Sequence, residues 1–113
     1  MATNAIARRL KSIEEKASMR SSDIANVLNV RPETVSRWNQ GKAFPHPSTE
    51  KQILELDFIV DQLSDFFSPD EARLWLFSRQ KLLDGRVPAD IIQSGNVDDV
   101  LGAVNQLREG VFL

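Results

Sequence analysis

Apolar residues recur along this chain at helical spacing, and no run of β-branched residues alternates with period two for long enough to make a strand. Ile6, Leu10 and Ile13 predict an amphipathic helix over Asn4 to Ala17. Ser22 can cap a short helix that runs through Leu28. Pro32 sits where a first helical residue is tolerated and opens a second short helix to Asn39. The stretch "GKAFPHPS" then interrupts the pattern with a glycine and two prolines. From Ser48 or Thr49 a long helix carries Ile53, Leu56, Ile59, Val60, Leu63 and Phe67, the stripe of a helix packed on a core.

The second half is sharply punctuated. "SPDEA", from Ser68 to Ala72, offers a serine cap, proline at the first helical position and Glu71 three residues after the cap, a capping box. Leu74, Trp75, Leu76 and Phe77 together are too apolar for a one-sided surface helix, so they are buried on several sides or form part of an interface. Gly85 ends the next turn, Pro88 starts a short helix and Gly95 ends it. Asn96 caps the last helix, whose apolar stripe is Val97, Val100, Leu101, Val104 and Leu107. These elements predict an all-α fold: a helix-turn-helix domain over 1–47, a connecting helix over 48–67, and a small helical domain over 68–113. The wide apolar face from Ile53 to Phe67 is the candidate contact of a homodimer, although the same face could serve the chain's own core.

Length and composition narrow the function. A chain of 113 residues is large enough for a real core. It has no cysteine, which excludes a disulfide scaffold, a thiolate metal site and a cysteine nucleophile. No apolar run approaches the roughly 20 residues that span a bilayer, and the N-terminal stretch lacks the apolar core of a signal peptide, so a cytoplasmic protein without a membrane partner is expected. The lone histidine, His46, lies between Pro45 and Pro47, a poor place for a precisely held base. Asp70-Glu71 and Asp98-Asp99 resemble paired carboxylates, but both sit at helix starts, where the macrodipole favours acids. No phosphate loop, dinucleotide fingerprint or nucleophile elbow is present. An enzyme, a metal site and a bound cofactor are therefore not expected.

The net charge of −2 hides an asymmetry. Residues 1–51 carry 9 Lys and Arg against 5 Asp and Glu; residues 52–113 carry 5 against 11. The basic half is the candidate for a polyanion.

Within that half, "SSDIANVLNVRPETVSRWNQ" (Ser21 to Gln40) has the internal grammar of a helix-turn-helix. Ala25 is small where two helices cross, Asn29 tolerates a left-handed conformation at the turn, and Ile24, Leu28, Val30, Val35 and Trp38 supply the inner faces. Gly41 stops the second helix. This stretch resembles the Xre/Cro-type helix-turn-helix of bacterial repressors. The resemblance implies that the second helix reads the major groove, with Pro32, Glu33 and Arg37 toward bases, Thr34 and Ser36 near the groove or its phosphate walls, and Lys42 at phosphate. Arg31 completes the candidate DNA-binding set. Arg37 has the fork geometry to grip guanine O6 and N7. Pro32 lacks an N–H for phosphate, and Glu33 helps only by accepting from a cytosine amino group. A sequence pI near 5.4 argues for binding as a dimer or larger, with strong salt dependence.

A repressor module of this type needs only about 60 to 70 residues, and the chain continues. Trp75-Leu76, the run "SRQKLLDGRVPADII", Gly95, Val100 and the hydrophobic stretch after Gly110 resemble the C-terminal toxin-binding domain of Xre/MbcA/ParS-type antitoxins. With the helix-turn-helix, the resemblance covers nearly the whole chain. It implies a partner: a RES-domain toxin that degrades NAD⁺, held inactive partly by the antitoxin's C-terminal segment at its active-site pocket, with repression of the shared operon through the N-terminal domain. The candidate toxin-binding residues are Glu109, Gly110, Val111, Phe112 and Leu113. Gly110 frees the chain to redirect, and Phe112 offers an apolar anchor. Glu109 and the Leu113 carboxylate offer anions to a pocket built for a dinucleotide's phosphates; Val111 and Phe112 could instead fold back on the chain's own core. Two other readings stay open: a stand-alone helix-turn-helix regulator, and an antitoxin whose helix-turn-helix has lost DNA binding. The toxin that the resemblance implies either cleaves NAD⁺ or transfers its ADP-ribose.

Overall fold

A computed structural model describes residues 4–110. Seven α-helices follow one another: α1 (Ala5–Ala17), α2 (Ser21–Leu28), α3 (Pro32–Asn39), α4 (Pro47–Leu63), α5 (Pro69–Leu76), α6 (Pro88–Gln93) and α7 (Val97–Glu109). A single 3-10 turn, Lys81–Leu83, lies between α5 and α6. The described residues contain no strand, only one isolated bridge between Gln80 and Arg86, so the all-α expectation holds.

The helix starts follow local chemistry. Asn4 caps α1, its side chain accepting from the Ile6 N–H at 3.0 Å. Ser68 and Glu71 form the anticipated capping box at α5. The start of α2 differs from the expectation at Ser22: Arg20 is the cap, because the Asp23 carboxylate accepts the Arg20 N–H at 2.8 Å and draws the first turn back to Ser21. Asn96 occupies the cap position of α7, but its side chain makes no capping bond. The α4 helix begins at Pro47, just ahead of the expected serine, and ends at Leu63 rather than Phe67; beyond it the chain turns through Ser64 to Phe66 before the next cap.

The three sequence stretches share one core. The α1 helix packs along α4 and α5, α2 against α3 and α6, and α7 against α4 and α6. Ile53, Leu56, Ile59, Val60 and Leu63 are fully buried. That stripe serves the chain's own core, so the homodimer contact expected there is not made through it. One charged side chain is buried with the core. Asp57 of α4 is 7% exposed; its Oδ2 accepts from Arg9 Nη1 at 2.9 Å, while Oδ1 has no partner among the described residues.

Candidate functional site

The turn between α2 and α3 is built as its sequence demands. Asn29 adopts the left-handed conformation, with φ of 58°. Its neighbour's N–H reaches back, Val30 N to Ala25 O at 2.9 Å, closing the helix end. Ala25 is buried at the crossing, and Ile24, Leu28, Val35 and Trp38 are all core residues, with Val30 half-buried against them. Gly41, with φ of 72°, ends α3 through Gly41 N to Trp38 O and Lys42 N to Arg37 O, a paired closure that a Cβ at Gly41 would strain.

With Val35 and Trp38 turned inward, the opposite face of α3 is presented to solvent. Arg31, Pro32, Glu33, Ser36, Arg37 and Lys42 are exposed, and Thr34 is half-buried. The candidate DNA-binding residues therefore lie together on and around one short helix. Among the described residues no ion pair engages Arg31, Glu33, Arg37 or Lys42. Gln40 is also exposed and belongs to this face, one turn beyond Ser36 and seven residues from Glu33. The sequence reading omits it, although that spacing was the signal.

The α3 helix is anchored at its far end by Asn4. The same amide that caps α1 donates from Nδ2 to the Trp38 carbonyl at 2.8 Å. The orientation of α3 is thus tied to the first turn of α1.

A second surface lies on the C-terminal half. Glu109 is exposed at the end of α7, and Gly110 is left-handed, with φ of 74°, the break the sequence predicts. Val111, Phe112 and Leu113 lie outside the described residues. The root of this tail is held in place. Arg108 Nη2 donates to Asp65 Oδ2 at 3.0 Å and to the Gln62 side chain, and its guanidinium lies 5.7 Å from the Phe66 ring centre. Phe66 meets Phe67 edge-on at 5.0 Å. Phe67 and Leu107 line a cleft beside the tail root, and Phe67 also lines a second cleft with Trp75 and Leu74. Leu74 is 69% exposed, unlike its buried neighbours Trp75 and Leu76. The apolar run in α5 is thus split between the core and a surface.

The two surfaces are mechanically linked. Arg73 of α5 forms a bidentate pair with Asp23 of α2 and donates to the Ser18 carbonyl at 3.1 Å. The Arg73 hydrogen bond holds the Asp23 carboxyl below its ordinary value, against the opposing effect of partial burial. Gln93 of α6 donates to the Asn26 carbonyl on α2 at 2.6 Å.

No group of three or more metal-ligating side chains occurs among the described residues, and no helix there is long and apolar enough to cross a membrane.

No protein-family profile matches the chain. It is similar to the mycobacterial cidal antitoxin MbcA of Mycobacterium tuberculosis and of Mycobacterium bovis, 28% identical over 113 residues that span the whole of both chains. It is also similar to a probable mycobacterial cidal antitoxin of M. tuberculosis, 29% identical over 91 residues, covering 80% of this chain and 77% of that protein. Among solved structures, a chain of the M. tuberculosis MbcT–MbcA toxin–antitoxin complex matches with a TM-score of 0.85 and 28% identity, over 98% of this chain and 100% of that one. The expectation of a non-enzymatic role agrees with the likeness to proteins named as antitoxins.

Proposed function

We propose that this chain is the antitoxin of a toxin–antitoxin pair, which binds and silences a toxin and represses its own operon. The observation that carries the reading is the full-length likeness to MbcA, joined to a match of TM-score 0.85 with a chain of a toxin–antitoxin complex.

The partner in this proposal is a RES-domain toxin that consumes NAD⁺. Glu109, Gly110, Val111, Phe112 and Leu113 enter its active-site pocket, with Phe112 filling apolar space and the carboxylates meeting cations that otherwise hold phosphate. The exposed Leu74 and the Phe67 clefts extend the docking surface from the tail root across α5. They are supported by contiguity with that root and by the excess of acidic residues over 52–113, which suits a toxin with basic groups around its pocket. The second activity is assigned to α3. Its exposed polar face, and cations that form no ion pair among the described residues, support groove reading by Arg37, with Arg31 and Lys42 on phosphate.

The deciding experiment co-expresses the chain with its neighbouring gene product. A neighbour that is toxic alone, harmless in the pair and co-purified with the chain supports the antitoxin reading. Absence of any toxic neighbour, with retained promoter binding in gel shifts, favours a stand-alone regulator instead. Neutralisation without promoter binding would leave an antitoxin that does not read DNA.

A further inference from the structure

The turn after α4 leaves apolar surface open beside the last turn of α7. Phe66 is 36% exposed, and Phe67 and Leu107 pack on the core but are only partly buried. With Asp65 and Arg108 they line a cleft of about 370 Å³. Asp65 and Arg108 already pair with each other at 3.0 Å, so what the cleft lacks is apolar cover rather than a counter-charge.

We propose that the chain's own tail covers this cleft: Val111 and Leu113 seat against Phe66, Phe67 and Leu107, and Phe112 faces away from them. Leu107 and Arg108 stand three and two residues before Gly110, so the cleft opens directly at the tail root. Three extended residues reach about 10 Å, more than the width of a space of that volume. Gly110 sets the direction. Its left-handed φ of 74° and the bond from its N–H to the Leu107 carbonyl at 3.1 Å turn the chain off the axis of α7. After such a stop the next residue frequently packs back on the helix's last turn, and here that residue is Val111. Alternate residues of an extended segment share a face, so Leu113 joins Val111 and Phe112 lies opposite. An attached segment also has an advantage over a free one, because its effective concentration at the cleft is of order millimolar.

The consequence for the toxin contact rests on the proposed antitoxin reading. A tail already laid on its own cleft presents Phe112 preformed, so less chain must be ordered when the toxin binds. The Arg108 contacts to Gln62, Asp65 and Phe66 hold one wall of the seat in place. The second cleft, lined by Leu74 and Trp75, stays free for the toxin.

The test reads nuclear Overhauser contacts in the full chain without toxin, with valine, leucine and phenylalanine side chains labelled. The Val111 and Leu113 methyls should contact the Phe66 and Phe67 rings and be shifted upfield by them. Val111→Asp should abolish the Leu113 contacts with an unchanged circular dichroism spectrum, and Val111→Ile should keep them. Purified toxin should bind Val111→Asp about 10-fold more weakly, the cost of ordering the tail on binding, and Val111→Ile as it binds the native chain. Contacts from the Phe112 ring in place of Val111, or no tail contact to either ring, overturn the proposal. So do Phe66 and Phe67 signals that move only when toxin is added, which would assign the cleft to the toxin. If the contacts are present and Val111→Asp binds toxin as tightly as the native chain, the seat stands and its part in toxin binding is overturned. A chain that shows the contacts but binds no toxin in any form keeps the seat and overturns the antitoxin reading alone.

Discussion

Arg73 of α5 grips both carboxylate oxygens of Asp23 on α2, with Nη2 to Oδ1 at 3.1 Å, and so fastens α2 to the segment that carries the proposed toxin surface. Asp23 does two tasks, since the same carboxylate caps α2 through the Arg20 N–H. Replacing Asp23 by alanine removes both, and a loss of about 2 kcal/mol in unfolding free energy is expected by urea titration. The pH dependence has a definite sign. The folded-state value of Asp23 is lowered from 3.8, so its contribution is full above the unfolded value. It is lost as pH falls through 3.8 and then through the lower folded value. The Asp23→Ala variant should therefore lose less stability than the native chain between pH 5 and pH 3, the difference between them shrinking toward the acid end.

Arg37→Ala tests the proposed reading role of α3. Arg37 is exposed on α3 and engaged in no ion pair among the described residues, so truncation should leave the melting temperature unchanged. Specific operator affinity should fall by about 10- to 100-fold, the discrimination carried by one good bidentate contact. Lys42→Ala should instead weaken binding to all sequences alike and reduce the salt slope by about one, the share of a single neutralised phosphate. Retained specificity in Arg37→Ala gel shifts would remove α3 from the reader's role.

Arg9→Ala addresses the buried carboxylate. Asp57 is 7% exposed and Arg9 Nη1 is its ion-pair partner, while its other oxygen is bonded to nothing among the described residues. Removing the guanidinium strands a buried charge, and a destabilisation of about 2 to 3 kcal/mol is expected. Arg9→Ala combined with Asp57→Leu should recover most of that loss, because a leucine removes the buried charge altogether. A thermal melt of both variants distinguishes a stranded charge from impaired packing.

The extent to which these features are legible in the sequence follows the range of the interactions. Helix punctuation is local, so Asn29 in its left-handed turn, the Ser68–Glu71 box and the Gly110 stop are all readable from residue order. Where several capping side chains stand side by side, order is not enough: Ser21, Ser22 and Asp23 compete, and Asp23 wins because its longer reach meets the Arg20 N–H. Periodicity identifies Ile53, Leu56 and Leu63 as one face but does not say what covers it, and only tertiary packing shows that α1 and α7 do. The Arg73–Asp23 and Asn4–Trp38 bonds span 50 and 34 positions, and no local pattern announces either.

The tail gives the sharpest test of the proposed toxin contact, because its root and its tip can be changed separately. Phe112→Ala removes the proposed anchor and leaves α7 intact; neutralisation should fall, and affinity for the toxin should drop by about 30-fold or more if Phe112 fills a pocket. Arg108→Ala leaves the tail sequence whole but releases the latch to Gln62 and Asp65 and the stacking on Phe66. Arg108 is exposed, so the stability cost should stay within about 1 kcal/mol. A tail freed at its root must be ordered when it binds, so toxin affinity should fall by a smaller factor than with Phe112→Ala. Leu74→Asp adds a charge to the exposed edge of α5 and should weaken the complex without touching the tail. Calorimetric titration of the purified toxin with each variant separates the three roles. If deletion of Gly110 to Leu113 leaves affinity unchanged while Leu74→Asp abolishes it, the contact belongs to α5 alone and the tail has no part in it.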